Sequence, residues 1–432
     1  MLKPLPGAPA SSHGNVPLNI AVIGAGISGL VAAYLLCRDH SVTVFEANDY
    51  AGGHTHTVEV EQEGLRFPVD TGFIVFNEET YPNFVTLLSR LGIPSDPSTM
   101  SFSVTCRNTG LEYRPSTPDT LFADRKNLWN PVFWRMIAEI LRFRRESGEL
   151  LRDDEQSVTL GKYLAAKGYS QFFIENFLIP MGAAIWSAAP ERFRDFPASS
   201  FVRFFQNHGF LRVVRQPQWR VVRGGSNRYV EAIIRPYRDR IRLKTPVASL
   251  RRYPEYVEVT PSGSPPERYD HVVVATHSDQ ALSLLADPSD AEREILSALP
   301  YQENLTVLHK DTSVLPRRRK VWAAWNYLVP KDPGGRAVVT YDMNILQGHR
   351  SSAEFLVTLN YEDGIRPSEI FRRMIYHHPV YTCEGMQSRK RRGEINGGNR
   401  TWYCGAYWGY GFHEDGVNSA LEVCRHFGRT LT

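Results

Sequence analysis

A glycine-rich turn between a short apolar run and a helical segment near the N-terminus is the first constraint on the fold. The run NIAVI at 19–23 is followed by GAGISG and LVAAYLLCR, and a second β-branched run, SVTVFEA, begins at Ser41. Strand, turn, helix and strand in this order within about 30 residues are typical of a βαβ unit that binds a dinucleotide. We therefore predict a Rossmann-type unit at the start of the chain.

The glycines of this turn and one acidic residue supply the features that such a unit needs. Gly24 permits the tight turn, Gly26 lets the backbone approach a pyrophosphate, and Gly29 lets the helix pack closely on the strand. A helix that begins near Ile27 directs its unpaired N–H groups at the phosphates. Glu46 ends the second strand seventeen residues after Gly29, where a carboxylate can accept hydrogen bonds from a ribose diol.

Composition and charge limit the remaining classes of protein. With 432 residues the chain is long enough for two or three domains, and 42% hydrophobic and 22% charged residues are ordinary for a globular protein. A net charge of +4 does not indicate a nucleic-acid partner. Five scattered cysteines without a CxxC pair favour neither a disulfide framework nor a zinc site, and they suit a reducing compartment.

The N-terminal segment and the hydropathy of the chain bear on its location. Residues 1–18 contain Pro, Gly and Ser and lack the apolar core of a signal peptide, so we expect a flexible tail rather than an export signal. No uncharged apolar run approaches the roughly 18 residues needed to span a bilayer. We expect a cytoplasmic protein, with any membrane contact peripheral and at the inner face of the membrane.

Two further motifs distinguish the cofactor. The segments AGGHTHT at 51–57 and VDTG at 69–72 follow the ribose acid, and with it they resemble the flavin-containing amine oxidase, protoporphyrinogen oxidase and phytoene desaturase superfamily. The resemblance implies FAD, bound non-covalently because Cys404 does not occupy a recognised attachment position. His54 stands where the family usually has Arg, which removes a fixed positive charge; His54 or His56 could donate to a phosphate or a flavin edge, or be ordinary loop residues.

The resemblance extends to the middle and the end of the chain. RGGSNRYVEAI at 223–233 resembles the family's Gly-Gly turn before a helix, and TPVASL carries the residue expected to contact adenine through its backbone. At the end, Cys404-Gly405-Ala406 and a glycine-led helix at Asp415-Gly416-Val417 are similar to the segments that meet the flavin ring and the pyrophosphate. The cofactor-binding residues that the resemblance implies are Gly24, Ala25, Gly26, Ile27, Ser28, Gly29, Glu46, Ala47, Gly52, Gly53, His54, Thr71, Gly72, Phe73, Val247, Gly405, Gly416 and Val417.

The distribution of motifs predicts how the domains are arranged. We expect an α/β protein whose Rossmann-like FAD-binding domain is assembled from separated segments, 19–80, 215–285 and 397–432. An α+β substrate-binding domain, 81–214 and 286–396, is inserted between them. Prolines break the early part of the inserted region, which is helix-rich up to about residue 209.

A narrower resemblance suggests a class of substrate. VDTGFIVFN, ATHSDQAL and CGAYWGYGFHEDG together resemble bacterial NAD/FAD-binding amine-oxidase-like proteins. That group is often encoded beside methyltransferases similar to cyclopropane-fatty-acyl-phospholipid synthase. The resemblance implies unsaturated or methylated acyl chains as substrates, and a lipid methyltransferase as a neighbouring partner.

The catalytic candidates come from an aromatic stretch and one strand. Residues 403–413 are dense in rings, so Tyr407 is a candidate wall of the flavin site, although a ring there could equally pack a loop under the last helix. The family places one caging aromatic at His413, which could act as a general base or as a hydrogen-bonding partner. Asn304 aligns with the lysine that holds water near the flavin in many amine oxidases, although His309 and Lys310 lie close to it in the sequence.

No metal site is predicted. The adjacent histidines His377 and His378 lack the spaced carboxylates or thiols that a metal site requires.

A segment rich in both aromatic and basic residues occurs at 128–151. It interleaves rings and aliphatic side chains with four arginines, Arg135, Arg142, Arg144 and Arg145. Such a helix could lie on an anionic bilayer and admit acyl chains, or it could face the core with a solvated basic edge. The basic clusters at 317–320 and 389–392 could assist binding to a surface, and solvated loops would explain them as well.

Three functions follow from these observations. The first is an FAD-dependent dehydrogenase or desaturase that removes hydride from a hydrophobic substrate, an acyl chain of a lipid. The second is a flavin amine oxidase that produces hydrogen peroxide. The third is a non-catalytic flavoprotein that stabilises a neighbouring lipid-modifying enzyme.

Overall fold

A parallel sheet carries the N-terminal βαβ unit. The computed structural model describes residues 16–151, 158–186, 190–207, 217–331 and 335–431. The sheet has five parallel strands, in the order Ile241–Arg242, Ser41–Phe45, Asn19–Ile23, His271–Val274 and Thr401–Tyr403. Their β-branched sequences suit strands that are covered on both faces. Because the chain adds strands on opposite sides of Asn19–Ile23, the carboxyl end of that strand lies at the point where open α/β sheets bind ligands.

Smaller antiparallel elements surround this sheet. One is a hairpin formed by Thr57–Gln62 and Leu65–Asp70. A second is a three-stranded sheet of Val247–Arg252, Val257–Pro261 and Glu267–Tyr269. A third joins Phe76–Asn77 and Ser95–Pro97 to the two edges of Trp219–Val222.

A larger, mostly antiparallel sheet forms the second layer of the molecule. Its seven strands lie in the order Ile370–Pro379, Tyr301–His309, Leu356–Leu359, Val338–Asp342, Trp325–Val329, Phe102–Cys106 and Leu111–Tyr113. Trp325–Val329 and Phe102–Cys106 run parallel, and the other neighbours are antiparallel. The register between the edge strand Ile370–Pro379 and its neighbour Tyr301–His309 places Asn304 opposite Tyr376 and Glu303 opposite His377.

The helices divide between the two sheets. A helical layer with an aromatic core that includes Phe133, Phe143, Trp186 and Phe201 packs beside the seven-stranded sheet. This layer comprises Pro118–Leu121, Pro131–Glu146, Leu160–Ala166, Gln171–Phe173, the π-helical Ile174–Leu178, Ile179–Trp186 and Ala198–Asn207. The other α-helices are Ile27–Leu36, Pro82–Leu91, Asn227–Ile233, Ser278–Leu284, Asp290–Ser297, Met343–Gln347, Cys383–Ser388 and His413–His426.

The α/β class expected from the sequence is confirmed, and the structure adds detail at the domain boundaries. The parallel strands come from 19–80, 215–285 and 397–432, whereas the seven-stranded sheet comes from 81–214 and 286–396. Two helices assigned to the inserted domain, Pro82–Leu91 and Asp290–Ser297, nevertheless bury apolar residues in the cores of the parallel sheet. Their apolar faces are visible in the sequence, but the core that each face meets depends on tertiary packing. The predicted tail, up to residue 15, lies outside the described residues.

Candidate functional site

The glycine-rich turn follows the first strand and opens onto a cavity. Gly24 has a φ of +100°, and its N–H donates to the carbonyl oxygen of Phe45 at 2.8 Å. A Cβ added at Gly29 would lie 1.9 Å from the carbonyl oxygen of Gly24, so this position requires glycine. A Cβ added at Gly26 would meet nothing within 4 Å. The open space over Gly26 is therefore where a pyrophosphate can approach the backbone.

Glu46 is held beside this turn by three hydrogen bonds. Its Oε2 accepts from the backbone N–H of Ala25 at 2.8 Å, and its Oε1 accepts from the backbone and side-chain nitrogens of Asn48, each at 2.9 Å. Each carboxylate oxygen has two lone pairs, so Oε2 retains one for a ribose hydroxyl. The side chain is thereby fixed in the orientation that the predicted ribose contact needs.

The two motifs downstream of Glu46 pack against each other at the cavity. Gly52 donates its N–H to the carbonyl oxygen of Ala25 at 2.8 Å, which joins the two glycine turns. A Cβ added at Gly72 would lie 2.2 Å from the carbonyl oxygen of His54, and Phe73 donates its N–H to that oxygen at 2.8 Å. Gly72 and Phe73 therefore support the backbone of His54.

The cavity has a volume of about 780 Å³ and brings most of the predicted residues together. The predicted residues that line it are Gly24, Gly26, Ile27, Ser28, Glu46, Ala47, Gly52, Gly53, His54, Val247, Gly405, Tyr407 and His413. The predicted residues that are not among its lining are Ala25, Gly29, Thr71, Gly72, Phe73, Asn304, Gly416 and Val417. The lining thus joins the βαβ turn, the Val247 strand and the end of the chain, which lie far apart in the sequence.

The last helix begins earlier than the motif suggests. It spans His413–His426, because the carboxylate of Asp415 accepts hydrogen bonds from the N–H groups of Tyr410 and Phe412 at 2.9 and 3.0 Å and so orders the preceding turn. The helix is therefore not led by Gly416, contrary to the prediction. Burial raises the pKa of Asp415 to about 6, against the lowering effect of these two hydrogen bonds.

Gly416 serves the packing of two helices. A Cβ added there would lie 2.7 Å from Cγ2 of Ile27, and Oγ of Ser28 donates to the carbonyl oxygen of Gly416 at 3.0 Å. The neighbouring Val417 is fully buried in the same core. The two residues fix the last helix against the helix of the βαβ unit, which positions the loop that carries Tyr407 over the cavity.

His413 lines the cavity and is tied into a buried hydrogen-bond network. Its Nε2 lies 2.9 Å from the hydroxyl of Tyr229 and 3.0 Å from Oγ1 of Thr55, and its ring stacks on Phe73 with centroids 3.5 Å apart. Burial, reinforced by the nearby His54, holds the pKa of His413 well below 6.5. The structure shows His413 in hydrogen-bonding contact with Tyr229 and Thr55, and its role as a general base stays a prediction.

A cluster of histidines that the sequence did not indicate as a site forms one wall of the cavity. His54 stacks on His378 with centroids 5.2 Å apart, and His277 stacks on Tyr301 at 4.1 Å and lies 5.7 Å from His377. Burial, followed by mutual repulsion, lowers the pKa of His54 and His378 to about 3 and that of His277 to about 4. These three rings are therefore neutral at neutral pH.

The two remaining catalytic candidates differ in position. Tyr407 lines the cavity, and burial raises the pKa of its phenol above 10, so it stays protonated. Asn304 is fully buried behind the wall, where its Nδ2 donates to Nδ1 of His378 at 2.9 Å and its Oδ1 accepts from Asn360 at 2.8 Å. Asn304 therefore orients a cavity residue and does not reach the cavity itself.

Within the described residues, no group of three or more His, Cys, Asp or Glu side chains is placed to hold a metal ion. In the same part of the chain, no helix has both the length and the apolar character needed to cross a bilayer.

Comparison with known families decides the class of this site. The model of the family described as flavin containing amine oxidoreductase matches residues 27–310, about two thirds of the chain. The chain belongs to this family. The resemblance to the flavin-containing amine oxidase superfamily is thus confirmed. At the level of the family, FAD as the cofactor and FAD-dependent oxidoreduction as the class of reaction are confirmed with it. The open space over Gly26 and the fixed carboxylate of Glu46 fit this cofactor.

Individual relatives match over different extents. L-amino-acid oxidases from Bothrops jararacussu and Bothrops atrox are 49% identical over 49 residues, which is 11% of this chain and 10% of theirs. A CLA-producing fatty acid isomerase from P. acnes is similar over 95% of this chain and 98% of its own, with a TM-score of 0.68 and 16% identity. Cyclohexylamine oxidase from Brevibacterium oxydans IH-35A covers 96% of this chain and 100% of its own, with a TM-score of 0.67 and 17% identity. These structural similarities establish the fold alone, which proteins with unlike substrates share.

Proposed function

We propose that this flavin amine oxidoreductase removes hydride from an acyl chain of a lipid. The main support for this proposal is the apolar surface of the cavity wall. Ile375, Tyr376 and Pro379 from one strand, with Tyr301 and Phe412, give it aliphatic and aromatic surface. A C–H bond of an acyl chain has no polar group by which to be held, so it must be positioned by such surfaces.

The charges at the cavity also favour an uncharged reacting group. Among the described residues that line it, none is Lys or Arg, and the acidic ones are Glu46 and Glu303. Glu46 is committed to the ribose end of the cofactor, and Glu303 is half exposed, 3.9 Å from Nε2 of His377. A substrate with an ammonium group would therefore have little buried negative charge to pair with, whereas an acyl chain requires no charged partner.

The residues of the chain have defined tasks in this reaction. Bound FAD supplies the hydride acceptor. The backbone at Gly26 and the carboxylate of Glu46 hold its nucleotide part, while Tyr407 and Phe412 cover the cavity and exclude water. His413, held by Tyr229, fixes the beginning of the last helix beside the cavity.

A flavin amine oxidase is the second candidate function. Its support is that relatives and structural neighbours are described as L-amino-acid, cyclohexylamine and putrescine oxidases. The aromatic lining would also suit an amine bound in its neutral form. The position aligned with the family's lysine is Asn304, whose amide is turned to His378 and away from the cavity lining, and this favours the first candidate.

Anaerobic mixing of the holoprotein with defined unsaturated phospholipids tests the proposal. We expect bleaching of the oxidised flavin band and, by mass spectrometry, an acyl product that has lost two hydrogens. Bleaching by amines alone, with peroxide release in air, would refute it in favour of the second candidate. A flavin that neither class of substrate reduces would instead favour the non-catalytic partner.

A matched pair of variants at Ile375 sharpens this test. Its side chain lines the cavity and is largely exposed, so substitution should leave the fold intact. Ile375→Asn should slow flavin reduction by phospholipid at unchanged FAD content, because a polar amide weakens binding of an acyl chain. Ile375→Leu keeps the apolar surface and serves as the control.

A further inference from the structure

An exposed apolar patch surrounds the start of the helix Pro131–Glu146. Of the eleven large hydrophobic residues exposed in the described part of the chain, five fall within 128–141: Leu128, Trp129, Val132, Trp134 and Leu141. Trp129 is 88% exposed, the highest value among the eleven. Single exposed apolar residues are normal on protein surfaces, but a group of this size with two indoles marks an interaction site.

The helix presents two opposite apolar faces. Phe133, Met136, Ile140 and Phe143 are buried in the aromatic core of the helical layer. Trp134 and Leu141, 48% and 54% exposed, lie about two turns apart on the other face. The structure therefore shows the core-facing packing that one interpretation of this segment expected, and it leaves apolar side chains exposed to solvent on the other face.

The exposed indole of Trp134 is held in a defined orientation. Its Nε1 donates to the carbonyl oxygen of Leu128 at 2.9 Å, and its ring lies 5.0 Å from that of Phe122. Asn130 caps the helix by accepting from the N–H groups of Val132 and Phe133 at 3.0 and 3.4 Å. Because the indole N–H already has a partner, the ring can enter an apolar phase without losing a hydrogen bond.

Positive charge is concentrated on the same segment. Residues 125–146 contain six basic and two acidic residues, so this short stretch carries a net charge equal to the +4 of the whole chain. Glu139 is buried, accepts from Ser170 at 3.0 Å and pairs with Arg135 at 3.2 Å. Glu146 lies 3.4 Å from Arg145, and the six basic residues still outnumber the acids by four. Exposed Lys126, Arg135 and Arg145 thus border the apolar patch.

We propose that this docking face, made of Trp129, Trp134 and Leu141 with Lys126, Arg135 and Arg145, binds the surface of an anionic phospholipid bilayer. Indoles and aliphatic side chains enter the headgroup boundary, and the bordering cations meet the lipid phosphates. The inference deepens the proposed function, because a bilayer would present acyl chains to the enzyme. The docking face consists of exposed apolar and basic residues, so vesicle binding should occur whether or not the protein oxidises lipid.

Sedimentation of the holoprotein with vesicles tests the docking face. Vesicles of phosphatidylcholine mixed with phosphatidylglycerol should bind the protein, vesicles of phosphatidylcholine alone should bind it much less, and added salt should release it. Trp129→Ser should lower the partition coefficient at least tenfold. Arg145→Gln should lower it about fivefold, because one cation near an anionic surface contributes about a factor of that size.

The chain offers a matched control on another surface. Leu65 is 61% exposed and Arg238 is exposed, and both lie outside the docking face. The double variant Leu65→Ser/Arg238→Gln should bind anionic vesicles like the wild type, whereas Leu141→Ser/Arg145→Gln should bind much less. Flavin absorbance of each variant checks that the fold is retained.

Two results would overturn the inference: wild-type protein that stays in the supernatant with anionic vesicles, or equal losses for the two double variants. The outcome is separable from that of the proposed function. Protein that binds vesicles but oxidises no lipid would leave the docking face standing and reject the lipid substrate. Oxidation of detergent-dispersed lipid without vesicle binding would do the reverse.

Discussion

The substitution Gly26→Ala separates cofactor binding from folding. Gly26 has an extended backbone with φ of −73°, which any residue can adopt, and an added Cβ meets nothing within 4 Å. Alanine at this helix N-cap is less favourable than glycine by roughly 0.5–1 kcal/mol, and the loss of chain entropy in the unfolded state offsets a similar amount. The apoprotein should therefore melt within a few degrees of the wild type.

FAD binding should respond very differently, because the new methyl group occupies the space where the pyrophosphate meets the backbone. Loss of two hydrogen bonds from N–H groups to a charged phosphate corresponds to about 3 kcal/mol or more, which weakens binding at least 100-fold. Titration of the apoprotein with FAD, followed by flavin fluorescence, measures the dissociation constant, and thermal melting of the apoprotein measures stability.

Gly29→Ala is the informative comparison. The added Cβ would lie 1.9 Å from the carbonyl oxygen of Gly24. This variant should therefore bind FAD poorly and also have a less stable apoprotein. Wild-type FAD affinity in Gly26→Ala would refute the placement of the pyrophosphate over Gly26. A large drop in the melting temperature of the Gly26→Ala apoprotein would show that the added methyl group clashes and that the space over Gly26 is not open.

Three further predictions concern other parts of the molecule. Glu46→Gln should weaken FAD binding roughly tenfold to 100-fold, because an amide replaces one of the two carboxylate oxygens and turns a donor toward the N–H of Ala25 or Asn48; equilibrium dialysis of FAD would check this. Burial lowers the pKa of His309 in the folded protein to about 4, whereas the unfolded chain keeps the ordinary value of 6.5. The neutral ring therefore contributes its full stability above pH 6.5, and this contribution is lost as the pH falls from 6.5 towards 4. Between about pH 7.5 and about pH 5, wild type should lose roughly 2 kcal/mol more than His309→Gln in urea unfolding, and equal losses would contradict the assignment. Gly416→Ala should lower the melting temperature of the apoprotein because its Cβ would lie 2.7 Å from Ile27, and an unchanged melting curve would count against this close packing.

Local features of the sequence predict the nucleotide end of the site well. The turn from Gly24 to Gly29 and the carboxylate of Glu46 belong to one continuous βαβ unit, whose geometry follows from glycine sterics and strand periodicity. The cavity lining also includes Val247 and Gly405, which the family resemblance contributed from distant segments. Both kinds of prediction depend on short motifs that can be recognised along the chain without knowledge of its tertiary packing.

The histidine wall could not be predicted in the same way. His377 and His378 lie on a strand whose alternating side chains are paired with Tyr301–His309, and only that register brings His378 over His54. The role of Asn304 depends on the same pairing. The apparent glycine lead of the last helix misled for another reason. Asp415 is the N3 residue of that helix and accepts a hydrogen bond from the backbone N–H of Phe412 at the N-cap, and this local capping contact sets where the helix begins.

The replacement of the family's arginine by His54 links these observations to the proposed substrate. An arginine at this position would keep its charge while desolvated beside His277 and His378, at a large energetic penalty. The imidazole avoids that penalty, because burial lowers its pKa to about 3 and leaves it neutral. The wall from His54 to Tyr301 therefore offers rings and hydrogen bonds but no fixed charge. Such a wall discriminates little by charge and strongly by shape, which is the form of recognition that a long apolar chain requires.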